Sequence, residues 1–488
     1  MVVEERVFHP LPPRPREGSG GVDAALRRAE RRLGPRLLPM VALFAAVNYL
    51  DRTNLALASV ELTTALALSP TQYALGASLF FVPYCLLQIP SQMLMAVTRR
   101  QNLWLAGLLV SWGTIATAMA GIRNVAQYYL MRVLLGVFEA GALPGCWAYL
   151  AHFYSKDRIA LPLSVLHGSL IFSQALGPLI AAGLLTMDGV SGLEGWAWLF
   201  MLEGLAAIAV AIGWVFMPRD VEAVTALTPE ELAAVRASFA STQPPARGGN
   251  QLAVLRRALA NPAVAAACVI KFCRDTAFYG IIFWAPLIVK GLMGFSVWGG
   301  TGQPPARQPT KAEGVRVVLL VAVPFAAAAA AQFAVAWSSQ RRRERRFHVA
   351  AAWGVGAAAL LALPLALRSF AAGFVVLIVA TVGTLGAEGT AIAHYMALQG
   401  AEKGLGMSLL NSVGALGGVV GPLLIGALKQ RTGNYDAAMY ILGGLLAAAA
   451  AGIAALPPSW AERWGLREAP GEGGAPKACA SDAPAAEA

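Results

Sequence analysis

Asn48, Asp51 and Arg52 stand at positions i, i+3 and i+4, so on a helix they share one face. The run around them, residues 36–58, is otherwise apolar. An ionisable group costs about 2.5–3.5 kcal/mol at mid-membrane, so each one kept there is a candidate for function and must face the protein interior. The pattern recurs further along. Arg132 and Glu139 lie seven residues apart on one face, with Gly136 between them. Lys271 and Asp275 form an i, i+4 pair beside Arg274, and Glu388, His394, His167 and Glu203 also interrupt apolar runs.

Two tasks call for such groups. An anionic substrate needs a fixed cation in a low-dielectric cavity, and the forked donors of arginine match a carboxylate. Proton coupling needs a carboxyl whose ionisation is opposed by desolvation and controlled by a neighbouring cation. Asp51, Arg52, Arg132 and Glu139 suit both tasks, since four charges on two helices exceed what an ion pair locking those helices requires. Because Glu139 shares its face with Arg132, carboxyl charge and anion occupancy are expected to sense each other. Lys271–Asp275 reads equally well as a pair that neutralises itself within one helix, with Arg274 a further cation. His167 and His394 are expected to make ordinary interhelical hydrogen bonds. Glu203 is either a second titrating group or a partner for a loop.

The elements that must position these residues are membrane helices. Apolar runs recur near 36–58, 72–97, 102–121, 125–153, 159–185, 196–217, 262–290, 315–337, 347–367, 371–396, 404–428 and 434–456. About 20 residues cross the hydrocarbon, and the longer runs imply tilt. The expected fold is all-α and polytopic, with twelve transmembrane helices in two six-helix bundles, 36–217 and 262–456. A polar tail (1–35), a linker (218–261) and a second tail (457–488) complete the chain. In the linker, Thr228-Pro229-Glu230-Glu231 is a helix-start pattern, whereas Gln243-Pro-Pro-Ala-Arg-Gly-Gly is flexible in composition.

Composition agrees with that layout. Hydrophobic residues make up 57% of the 488 and charged ones 13%, against about 25% charged in a soluble domain. Mean hydropathy is +0.58. The net charge of +11 gathers at Arg99, Arg100, Lys156, Arg158, the linker and Arg341–Arg346. It reads as loop charge against an anionic leaflet, not as a nucleic-acid footprint. Both ends and the linker are then expected on the cytoplasmic side of a plasma or organelle membrane. The outer loop 292–314, with Arg307 and Lys311, is the noisier part of that pattern. The first 36 residues lack the apolar core of a cleavable signal peptide, so the first span is expected to direct membrane entry. Five cysteines form no CxxC pair or metal-like cluster; no metal or cofactor is expected.

Gly177-Pro-Leu-Ile-Ala-Ala-Gly-Leu-Leu in span 5 resembles Gly421-Pro-Leu-Leu-Ile-Gly-Ala-Leu-Lys in span 11, six spans later. Two parallel halves joined by a linker form the arrangement in which a central cavity opens alternately to each side.

Asn48-Tyr-Leu-Asp51-Arg52-Thr-Asn54 resembles the first-helix Asp-Arg-x-Asn signature of the anion:cation symporter family, within the major facilitator superfamily. Further stretches resemble that family in the same order: Tyr84–Ser91, Arg132–Gly145, Trp196–Gly204, Tyr279–Pro286 and Asn411–Pro422. The resemblance implies symport of a small organic anion with H+, or with Na+. It implies protonation at Asp51 and Glu139, anion binding or gating by Arg52 and Arg132, and a cavity lined by Tyr84 and Asn411. Two loop motifs depart from the family pattern, at Gln92–Arg100 and at Ser339-Gln340, which implies an altered latch. Ser169 stands where some members carry a longer polar side chain. A phosphate-type anion transporter and a non-transporting sensor on the same fold are the alternatives. The tail after Leu456 is short for a signalling tail, and no Ser/His/Asp set or phosphate loop suggests an enzyme. The expected partners are an organic anion and the bilayer, with the monomer as the working unit.

Overall fold

A computed structural model describes residues 20–98, 100–155, 158–240, 262–295, 297, 307–398 and 403–456. Arg99, Lys156, the segment 243–249, Cys479 and both tails beyond 20 and 456 lie outside the described residues.

The described residues hold twelve helical spans long and apolar enough to cross a bilayer. Three are broken, so the spans comprise α1 (Gly20–Ala65), α2 (Pro70–Leu79) with α3 (Phe81–Val97), α4 (Gln101–Met119), α5 (Val125–Glu139) with α6 (Ala142–Leu150), α7 (Ala160–Leu185) and α8 (Gly195–Val215). The linker helix α9 (Pro229–Ala240) follows. The second half holds α10 (Pro262–Leu292), α11 (Lys311–Arg342), α12 (Arg346–Ala366), α13 (Phe370–Leu385) with α14 (Glu388–Leu398), α15 (Lys403–Thr432) and α16 (Asp436–Ala455). Alternation of twelve spans brings Gly20, Leu456 and α9 to one face, here called the terminal face, opposite a far face.

The breaks have local causes. Pro83 offers no N–H to the carbonyl of Leu79, and Pro144 none to Ala140, so spans 2 and 4 each lose a helical turn. The sequence pattern expects both as continuous helices, because periodicity does not register one missing donor. Span 10 breaks at Gly386–Ala387 without a proline.

α1 departs from expectation at its start. Residues 20–35 continue the first span as helix instead of forming a tail, because Ala25, Leu26, Ala29 and Leu33 make an apolar stripe that is buried. That stripe packs on α9, where Ala234 and Val235 are buried, and Arg32 lies 3.3 Å from the buried Glu231. Helix α9 begins at the expected start: Thr228 and Glu231 form a reciprocal capping pair, with hydrogen bonds of 2.9 and 3.3 Å.

Small residues set the helix spacing. A Cβ on Gly136 would sit 2.1 Å from the Phe80 carbonyl oxygen, and one on Gly421 2.2 Å from that of Thr276. Gly136→Ala and Gly421→Ala should therefore each destabilise the detergent-solubilised protein by about 1–3 kcal/mol. Gly444→Ala, with nothing within 4 Å, should leave the thermal midpoint unchanged. Equal midpoints for all three would show that the close contacts are not tight.

Candidate functional site

The ionisable residues converge on a central cavity of about 150 Å³ between the two halves. Its first pole is built by spans 1, 2 and 4. Because α5 ends at Glu139, the carboxyl there turns towards span 1, and Oε2 accepts from Asn48 Nδ2 at 3.2 Å and Arg52 Nε at 3.3 Å. Arg52 also donates to the Tyr84 hydroxyl at 2.6 Å and lies over that ring, 4.5 Å from its centroid. Asp51 Oδ2 and Glu139 Oε1 are both buried without a hydrogen-bond partner among the described residues.

Arg132 and Glu139 share a face but make no direct ion pair among the described residues. Seven residues are about 10 Å along a helix axis, too far for direct contact. The Arg132 guanidinium instead lies over the Phe80 ring at 4.9 Å, with Nε donating to the Gly76 carbonyl at 3.3 Å. Of the four cations lining the cavity, Arg132 is the one with no carboxylate within 4 Å among the described residues. An arginine 1% exposed without a carboxylate in direct contact is costly to bury.

The second pole belongs to spans 7 and 10. Lys271 and Asp275 do pair, at 2.8 Å, but not in isolation. Arg274 reaches Asp275 at 2.9 Å and Glu388 at 2.5 Å, and Lys271 lies 3.8 Å from Glu388. The group is thus an interhelical quartet facing the cavity, which correction only tertiary contact could supply.

The remaining candidates divide. Asn411 lines the cavity and donates to Gln88 Oε1 at 3.1 Å. Tyr84 lies behind the wall, 1% exposed, where it positions Arg52; Phe80, Phe81 and Tyr279 supply the aromatic lining instead. Ser169 bonds its own helix at Val165 and is not among the lining residues. Glu203 is buried behind span 1 with both oxygens lacking a donor, so it bonds no loop. His167 lines the cavity but bonds Leu163 of its own helix and stacks on Trp147, which corrects the interhelical expectation. His394 does bond away from its helix, to the Leu456 backbone. The sequence reading missed Tyr49, whose hydroxyl accepts from Gln174 at 2.6 Å; its place three residues before Arg52 was the available signal. It also missed Lys290, fully buried, which donates to the Val60 carbonyl at 3.0 Å across the halves.

The Tyr84 hydroxyl is the one hydrogen-bond partner that fixes Arg52 from span 2. Tyr84→Phe keeps the ring and removes a bond to a charged group, worth about 1.5–3 kcal/mol. Anion affinity should fall by about tenfold with folding intact. Unchanged affinity would show that Glu139 alone orients Arg52.

Residues 41–399 match the model of the Major Facilitator Superfamily. A protein of Agrobacterium vitis provisionally named a tartrate transporter is 31% identical over 86% of this chain and 89% of its own length. The "Quinolone resistance transporter" of Acinetobacter baumannii is 30% identical, over 83% and 90%. A crystal structure of a D-xylose–proton symporter shares the fold, with TM-score 0.64 and 13% identity over 85% of this chain and 95% of that one. With twelve spans, a cavity between two six-helix halves and this match across most of its length, the chain belongs to the Major Facilitator Superfamily and is a multi-pass membrane transporter.

Proposed function

We propose that the protein carries a small organic anion by alternating access, coupled to protons, with Arg132 and Arg52 as the anion site and the Asp51–Glu139 pair as the proton carrier. The observation that carries this reading is the buried Arg132, which has no carboxylate within 4 Å among the described residues, close to the buried carboxyls of Asp51 and Glu139, which in this reading share one proton. With that proton in place the four groups sum to +1, which one carboxylate neutralises. When the proton leaves, both acids are ionised, the sum falls to zero, and the anion loses its counter-charge. Loading is therefore favoured at low pH on the entry side and release at higher pH on the exit side. The relative provisionally named a tartrate transporter supports a carboxylate cargo.

The positive loops support placing the terminal face in the cytoplasm. In the conformation described, the far face is closed. Tyr73 donates to the Phe283 carbonyl at 2.7 Å, Ser78 to that of Val419 at 2.9 Å, Lys290 to Val60, and Lys311 pairs with Asp188. All but the last join the halves through backbone carbonyls, so opening costs few ion pairs. A cysteine placed at exposed Glu222 should react with an impermeant thiol reagent only after permeabilisation. Labelling in intact cells would reverse the orientation.

Arg132→Ala should weaken anion binding by about 2–5 kcal/mol, and Arg132→Lys should also impair uptake because a point charge does not replace the fork. Normal uptake by both would move the site elsewhere. Glu139→Gln mimics a permanently protonated carboxyl. It should exchange anion across proteoliposome membranes yet fail to accumulate it on a pH gradient. Accumulation by that variant would make Glu139 structural and point to Na+ or to Glu203.

A further inference from the structure

The two halves repeat their ionic chemistry as well as their helices. Gly177 of α7 rests against span 1 at Leu50 and Thr53, the residues that flank Asp51 and Arg52. Gly421 of α15 rests against α10 at Thr276 and Gly280, just after Arg274 and Asp275. The shared Gly-Pro contact thus places Asp51–Arg52 and Arg274–Asp275 within about one helical turn of corresponding points of the two halves. Their acid partners correspond too. Span 4 breaks beside Glu139, which takes Arg52, and span 10 breaks ahead of Glu388, which takes Arg274.

We infer that Arg274 and Lys271 form a second carboxylate site on which Glu388 holds the place of the substrate, so that the preferred cargo is a dicarboxylate bridging both halves. This rests on the anion site proposed above. Arg274 is fixed independently of Glu388: Nη2 donates to the Thr384 carbonyl at 3.0 Å, and the guanidinium lies over Phe278 at 4.3 Å. It therefore stays in place when Glu388 leaves. Glu388 is the loosest member of the quartet. Its side chain is 28% exposed against 2% for Arg274 and 5% for Asp275, and it opens a helix segment directly after the break.

Charge fits one incoming carboxylate. With Glu388 in place, Lys271, Arg274, Asp275 and Glu388 sum to zero. With Glu388 swung away, the other three sum to +1, and its own carboxylate stands elsewhere in the same cavity. The displaced side chain turns into a cavity lined by Tyr49 and by His167, whose Nε2 has no hydrogen-bond partner among the described residues. A monocarboxylate satisfies only the Arg52–Arg132 pole and leaves Glu388 on Arg274. A dicarboxylate engages both poles and ties the halves together, the geometry that closing around a cargo requires.

Tartrate and threonate test this directly, because they share a four-carbon hydroxy-acid chain and differ in carrying two carboxylates or one. Binding of each to the purified full-length protein is measured by calorimetry. Wild type should prefer tartrate. Glu388→Gln removes the competitor and should raise the tartrate-to-threonate affinity ratio about tenfold, whereas Lys271→Gln should lower it about tenfold. A purely structural quartet predicts that both variants lose affinity for both probes alike. That outcome, an unchanged ratio in Glu388→Gln, or a wild type that binds tartrate no tighter than threonate would overturn the inference. Arg132→Ala should lose both probes; if it keeps both, the first anion site fails, whatever Glu388 does.

Discussion

Glu139, at the end of α5, takes two donors from span 1, Asn48 and Arg52. Every other feature of the first pole follows from keeping that buried carboxyl satisfied. Arg52 is drawn across to it and braced by the Tyr84 hydroxyl; the Tyr84 ring then stacks on Phe80 at 5.3 Å. Phe80 in turn presents its face to Arg132. Three spans are tied through one carboxylate and the arginine it holds, and a charge removed from water at several kcal/mol gains two partners, one neutral and one cationic. Arg132 lines the cavity, whereas the second oxygens of Asp51 and Glu139 lie buried behind its wall without a hydrogen-bond partner among the described residues.

The breaks in spans 2, 4 and 10 are therefore part of the site. A continuous helix would hold Glu139 among backbone groups already bonded to one another and would carry Glu388 on an uninterrupted cylinder. Proline at positions 83 and 144 removes a donor, and neighbouring helices cover the gap. A Cβ on Gly141 would overlap the Ser91 hydroxyl at 1.7 Å, so span 2 packs directly on the break in span 4. In span 10 the gap is covered by Arg274, which caps the Thr384 carbonyl. Backbone irregularity at membrane depth is tolerable where protein groups re-satisfy it, and here those groups are the site residues themselves.

The seal on the far face has a different character. Lys290 is wholly buried and spends its ammonium on a backbone carbonyl of the opposite half, while Gly426 lets span 11 meet Pro70 and Ala74 at the start of span 2. Such contacts are short, few and made largely to main chain. They close one side without fixing the halves permanently, which suits a fold whose work requires them to separate.

Twelve spans, two halves and a charged interior were legible in the sequence because membrane solvation acts on each segment by itself: twenty apolar residues must cross, and an ion within them must turn inward. Asn48, Asp51 and Arg52 could be placed on one face from spacing alone, and the capping pair at Thr228 and Glu231 from four residues. Partnership was not legible. Spacing put Glu139 on the face of Arg132 but did not show that its carboxylate meets Arg52 of span 1; spacing closed Lys271 on Asp275, whereas span 10 brings Glu388 to both α10 cations. Tyr84 and Ser169 lie off the cavity for the same reason, since a helix position fixes a direction and the neighbouring helices decide what lies there. A local pattern is set by interactions within one turn of helix. Which charges meet is set by contacts between residues 87 to 117 apart in the chain, and those exist only once the bundle has assembled.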